Sequence, residues 1–222
     1  MIEARLALNY KGIPYLTEWV EYPDLKPKFQ SLGLQPNNKS VSVAEYSSPV
    51  VRMTDGTYVM DSRKIADTLE KLQPEPSLHL DSEHVDRVQK VVLAVWVALT
   101  PIAIPRVPEL LLNHPSADYF RETRAKRFGM PLTELAKSDK ARDAFTTAEA
   151  PMNDLKTILQ EHDDGPNVLG KQPSYADLIV AAMWRCAERL DKDGDFFGKA
   201  MQFDPVFAAQ YEACREWLQK DD

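Results

Sequence analysis

The chain has 222 residues, 44% of them hydrophobic and 27% charged, enough for one large or two modest globular domains with a real core. Its 27 lysines and arginines against 34 aspartates and glutamates leave a formal charge of -7, which repels nucleic acid and anionic lipid, so neither is an expected partner. The longest uncharged apolar run, Val91–Leu99, falls well short of the roughly 20 residues of a spanning helix, and Glu3 and Arg5 interrupt the apolar pattern at the start, so neither an anchor nor a secretion signal is expected.

The first predicted element is "EARLALNYKG", a helix stopped by Gly12. "PYLTEWVEYP" follows, setting Leu16, Glu18 and Val20 against Tyr15, Thr17 and Trp19, an alternation that predicts a strand. A polar loop, "QPNNKS", then carries Lys39. The runs Val50–Met53 and Thr57–Met60 flank Asp55-Gly56, a pair that tolerates the positive φ of a tight turn, and so predict a hairpin. Asp61 or Ser62 caps the next helix, which turns Ile65, Ala66 and Leu69 inward.

Near residue 75 the texture changes from short β-branched and aromatic runs to long segments of helical spacing. A small α/β domain over residues 1–74 and an all-helical domain over residues 82–222 are therefore expected. In the second, a helix starts at the Ser82 cap and should end before Pro101, and another starts near Ser116. Further helices are predicted over Lys140–Gln160, Ser174–Arg189 and Asp204–Gln219. Cys186 and Cys214 form neither a CxxC pair nor a metal cluster, and read as small buried hydrophobes in a reducing, cytoplasmic setting. No metal site is expected.

These residues carry a resemblance. "SPVVRMTDGTYVMDSRKIADTLEKL" resembles the second half of the glutathione-binding, thioredoxin-like domain of glutathione transferases. "PSYADLIVAAM", Pro173–Met183, resembles the capping-box segment of their helical domain, with Ser174 at the cap and Asp177 at the third helical position. "EARLALNYKGIPYLTEWVEYPDL" and "SADYFRETRAKRFGMPLTEL" are similar to the fungal FuA class, which in turn is similar to bacterial β-etherases acting on lignin-derived aryl ethers. The likeness runs through nearly the whole chain. It implies an α/β plus all-α fold: a thioredoxin-like N-terminal domain, here without its first strand, followed by an all-helical C-terminal domain.

The resemblance also implies a site. Pro49 should be cis, presenting the backbone of Ser48 to the cysteinyl part of glutathione, although Ser48 stands where the class usually has an apolar residue. Asp61 and Ser62, at a helix N-terminus that favours an anion, would hold the γ-glutamyl group, Ser62 on its carboxylate and Asp61 on its ammonium. Lys39 would neutralise the glycine carboxylate, or else is a solvated loop lysine. An electrophile between the domains would meet Trp96, Tyr119 and Phe120, residues of a kind more often found in a core than in a pocket. Arg121, Arg124, Lys126 and Arg127 read either as an attraction for an acidic or phenolic ligand or as a solvated helix face balanced by Glu122.

The implied activity is conjugation or reduction of small hydrophobic or aromatic electrophiles by glutathione, the co-substrate, in a cytoplasmic homodimer with a detoxifying or β-etherase-like role. A non-catalytic ligandin and a regulatory dimer on the same fold are the alternatives. In the FuA class a Ser-Pro-Asn stretch ending the first strand supplies the catalytic serine, whereas this sequence opens at Met1 already inside the first helix, so the catalytic residue is unknown. The expectation is a shortened chain, or else a genuine short form, in which "YLTEWVEY" and the hairpin each lack a strand neighbour.

Overall fold

The computed structural model describes residues 2–38 and 44–219. Its first helix, α1 (Ile2–Tyr10), buries Ala4, Leu6, Ala7 and Leu8. Gly12, at φ 66°, ends it as expected, and Ile13 N donates back to Leu8 O at 3.0 Å.

The next stretch corrects the sequence reading, since residues 13–20 are not a strand. The expected alternation is largely present: Tyr15 and Thr17 are half-buried, while Leu16 and Trp19 face solvent. What is lacking among the described residues is a neighbouring strand to take the backbone hydrogen bonds. Alternation prepares a face, but a strand exists only by pairing. Arg5 partly covers this stretch, its guanidinium 4.7 Å from the Trp19 ring and donating to Thr17 Oγ1 at 2.8 Å.

The second helix, α2 (Tyr22–Ser31), is an element that the sequence reading does not include, and it holds two prolines. Pro23 sits in the first turn, where no N–H is needed, so only Pro27 costs a backbone bond. Strands β1 (Val50–Arg52) and β2 (Tyr58–Met60) pair antiparallel with Val51 opposite Val59. Between them Gly56 takes φ 89°, and Asp55 Oδ1 accepts from Thr57 N and Oγ1 at 2.9 and 2.7 Å. Helix α3 (Ser62–Leu72) buries the predicted Ile65, Ala66 and Leu69. Together α1 to α3 and the hairpin form a small thioredoxin-like unit.

Helix α4 (Glu83–Leu110) begins at the predicted Ser82 cap but runs through Pro101, Pro105 and Pro108. Its buried residues Val95, Leu99, Ala103 and Val107 recur every four positions and pack on later helices, so burial outweighs the backbone bonds that the prolines remove. By length and composition α4 alone among the described residues could cross a bilayer, yet that buried stripe makes it the central rod of the helical bundle.

Helix α5 (His114–Phe128) starts two residues before the predicted Ser116. After α6 (Leu132–Leu135), the expected helix over residues 140–160 is two pieces, α7 (Asp139–Arg142) and α8 (Ala144–Leu159), broken at Asp143. Helix α9 (Tyr175–Arg189) is buried continuously from Tyr175 to Trp184 and lies among α1, α4 and α11. Helix α10 (Phe197–Met201) precedes a second break, at Cys214, which divides the expected last helix into α11 (Pro205–Ala213) and α12 (Arg215–Leu218). Both cysteines are free thiols: Cys214 is buried and Cys186 half-buried.

Candidate functional site

The hairpin delivers Ser48, Pro49, Asp61 and Ser62 to one edge. Because Val50 pairs with Met60, the residues flanking that pair, Pro49 and Asp61, lie side by side, and Asp61 N donates to Pro49 O at 3.3 Å. The Ser48–Pro49 bond is cis. Asp61 is the cap, Oδ1 accepting from Arg63 N at 3.0 Å and Lys64 N at 3.2 Å. It holds φ 93°, ψ 129°, a conformation that costs a non-glycine residue about 1–3 kcal/mol and persists only where the surroundings impose it.

Ser62 is the first residue of α3, and its amide has no acceptor among the described residues. Its side chain hydrogen-bonds Tyr175, whose phenol burial pushes well above its ordinary range. Arg63, the next residue, donates to Leu80 O at 2.9 Å, tying the head of α3 to the segment that enters α4. The edge therefore has the Ser62 amide, and beside it a hydroxyl shared with Tyr175, next to the Asp61 carboxylate. Lys39 lies outside the described residues.

The electrophile candidates divide. Tyr119 is 41% exposed, Phe120 is 3% exposed and belongs to the core, and Trp96 is half-buried against the core. Tyr119 and Phe120 meet at a seam between α2 and α5. There the Tyr22 ring stacks on Tyr119 with centroids 6.4 Å apart and meets Phe120 edge-on at 5.7 Å. Trp96 makes no ring contact with them among the described residues.

Polar bonds pin the same seam: Tyr22 N donates to Ser116 Oγ at 2.8 Å, and Glu21 accepts from Asn113 Nδ2 at 2.9 Å and from the Ser116 hydroxyl. The Ser116 hydroxyl bond, then that of Asn113, hold the Glu21 carboxyl below its usual range. Burial pushes the Tyr22 phenol up against the opposing pull of the Arg124 cation. Sequence reasoning missed Glu21 and Tyr22. The signal was Pro23, a residue favoured just inside a helix start.

With this geometry in hand, comparison with known proteins is decisive. Residues 3–72 match the family described as glutathione S-transferase, N-terminal domain, and residues 85–219 match glutathione S-transferase, C-terminal domain. The chain belongs to the glutathione S-transferase family. It is 28% identical to the glutathione S-transferase-like protein ustS of Aspergillus flavus, over 99% of this chain and 84% of that protein. Among solved structures it resembles a glutathione S-transferase of Ceriporiopsis subvermispora in complex with glutathione: TM-score 0.85, 28% identity, 97% of this chain and 89% of that one. The transferase GSTFuA2 of Phanerochaete chrysosporium gives TM-score 0.75 at 29% identity, covering 98% and 88%.

In this transferase-family chain a buried lysine ties α1 to the end of α3 and the segment that follows it. Lys11, at the end of α1, has no exposed side-chain surface; its ammonium meets Glu70 at 2.6 Å and the carbonyls of Gln73 and Pro76 at 2.6 and 2.9 Å. Burial works against the charge on Glu70, but Lys11, the Ser77 hydroxyl and the Leu78 amide outweigh it and hold its carboxyl below the usual range. A lysine so buried is stable only with its hydrogen-bonding capacity filled, as it is here. Nothing in the sequence around Lys11 announces this, because all three partners lie more than fifty residues away.

Proposed function

We propose that the edge formed by Ser48, Pro49, Asp61 and Ser62 binds glutathione, and that the chain uses it to conjugate or reduce small hydrophobic or aromatic electrophiles. One observation carries the reading. The Asp61 carboxylate occupies the second and third amides of α3 and leaves the Ser62 amide for an outside anion, toward which the Ser62 hydroxyl would turn from Tyr175, with a carboxylate beside them for an ammonium. That charge pattern is complementary to an α-amino acid head such as the γ-glutamyl group. The backbone of Ser48, with no partner among the described residues, would take the cysteinyl part in strand fashion, and Lys39 the glycine carboxylate.

The relatives support the co-substrate, since the Ceriporiopsis protein was crystallised with glutathione. Residues 1–74 would form the glutathione-binding domain and residues 82–222 the electrophile-binding one, with Tyr119 the exposed candidate at their seam. The apolar, solvent-facing Leu93 and Val97 on α4 support assembly as a homodimer. A β-etherase-like substrate fits this reading through its aromatic rings.

Ser62→Ala removes one hydrogen bond to a charged group and should weaken glutathione binding by about 1.5–3 kcal/mol, on the order of tenfold or more. Calorimetric titration of the folded variant measures this. An affinity equal to that of the unaltered chain would remove Ser62 from the site and, with it, this reading of the edge.

A further inference from the structure

The four cations of α5 divide by partner. Arg121 reaches Asp118 at 3.1 Å and Lys126 reaches Glu122 at 2.7 Å, while Arg127 stands in solvent. Arg124 is placed differently. Its guanidinium is 4.4 Å from the Phe120 ring centroid and 5.9 Å from that of Tyr22. It is half-buried, its polar contact is the neighbouring Thr123 hydroxyl at 3.1 Å, and it forms no ion pair among the described residues.

In a chain with 34 acidic residues, a partly desolvated guanidinium at the seam between the two parts thus has no anion against it among the described residues. Such a cation gains more from an anion than a fully solvated one does, because less water screens the pair. Its planar fork matches a carboxylate in two parallel hydrogen bonds. Tyr22, one of the rings beside it, stacks in turn on the 41% exposed Tyr119, whose ring offers a flat arene a surface on which to stack.

We infer that Arg124 determines specificity for the second substrate, selecting aromatic electrophiles that carry an anionic oxygen. This rests on the transferase reading and adds a substrate class to it. The residue acts on the arene's charged substituent and takes no part in bond making. In the probe reaction the glutathione thiolate forms a C–S bond at the ring carbon, the C–Cl bond breaks, chloride leaves with its electron pair, and the thiol proton passes to solvent.

The test compares chlorodinitrobenzoate with neutral chlorodinitrobenzene on the full chain, using Arg124→Gln and Arg124→Lys with unfolding midpoints as a check on folding. In Arg124→Gln the preference for the benzoate, as a ratio of kcat/KM values, should fall roughly ten- to a hundredfold, chiefly through KM. Calorimetric binding of the benzoate without glutathione should fall by the same factor and lose its salt dependence. Arg124→Lys, keeping the charge but not the fork, should recover part of both. Equal loss on both arenes, or no loss on either, would show that Arg124 only packs α5 against α2. If the chain conjugates neither arene the transferase reading fails, and the binding measurement still decides for or against Arg124.

Discussion

Asp177 shows how far one side chain can be committed to structure. It is fully buried, Oδ1 accepts from Val168 N at 2.8 Å, and Oδ2 accepts from both the amide and the hydroxyl of Ser174 at 2.8 Å. Burial pushes its carboxyl above the usual range, and these three bonds pull the other way. An ordinary cap lost to alanine costs about 1 kcal/mol. Here Asp177→Ala would strand two buried backbone amides, each costing about 1–3 kcal/mol, so the expected loss is about 3 kcal/mol and a fall in Tm of roughly 6–12 °C. Asp177→Asn, which keeps an acceptor oxygen, should lose less. Thermal unfolding followed by circular dichroism measures both, and a shift in Asp177→Ala no larger than that of a surface substitution would contradict the account.

At the scale of elements, the stretch after α1 gives the sharpest expectation. Residues 16–20 have alternating side chains but no strand partner among the described residues, and none of their amides donates to a backbone carbonyl. Their amides should therefore exchange with solvent at close to unprotected rates, while those of α1 and α9, which pack against each other in the core, are strongly protected. Hydrogen exchange read by mass spectrometry on a peptide spanning residues 14–21 checks this, and slow exchange there would mean that a neighbour pairs with the stretch in solution. The same stretch shows what the sequence could reveal. Local signals were legible: the Gly12 stop, the Asp55-Gly56 turn, the Ser82 cap and the Ser174–Asp177 pair each depend on residues a few positions apart. What depended on distant partners was not. Leu99, Ala103 and Val107 are buried and carry α4 past Pro101 because α4 packs on α8 and α9, and residues 13–20 form no strand because none among the described residues lies alongside to pair with them. Of the candidate site, the hairpin edge was legible because its residues are nearly contiguous. The seam at Tyr22 was not, because its two sides lie more than ninety residues apart.

Across the whole molecule, several junctions between elements rest on a carboxylate whose proton is held off by its partners. Glu21 joins α2 to α5, Glu70 joins α3 to Lys11 and the segment before α4, and Asp195 takes Arg106 of α4 in a two-pronged bond at 2.7 and 2.6 Å. Glu161, just beyond α8, binds Arg87 and His84 of α4. The Arg87 bond leads in lowering the Glu161 carboxyl to about 2, burial opposes it, and His84 assists; the Arg106 bond likewise lowers Asp195. A carboxyl lowered in the folded state contributes stability that is complete above its unfolded value, near 4.3 for glutamate, and is lost as pH falls through the folded value. Asp177, raised, runs the other way and cannot produce an acid loss. Urea midpoints should thus hold steady from neutrality to about pH 5 and decline below it, with Glu161 still contributing to that decline down to about pH 2. In Glu161→Gln the midpoint should start lower at neutral pH and change less over that interval. A decline that began near pH 6.5 would place the control on histidines instead. Parallel curves for the two proteins below pH 4 would show that the clamp between α4 and the end of α8 does not sense acid at all.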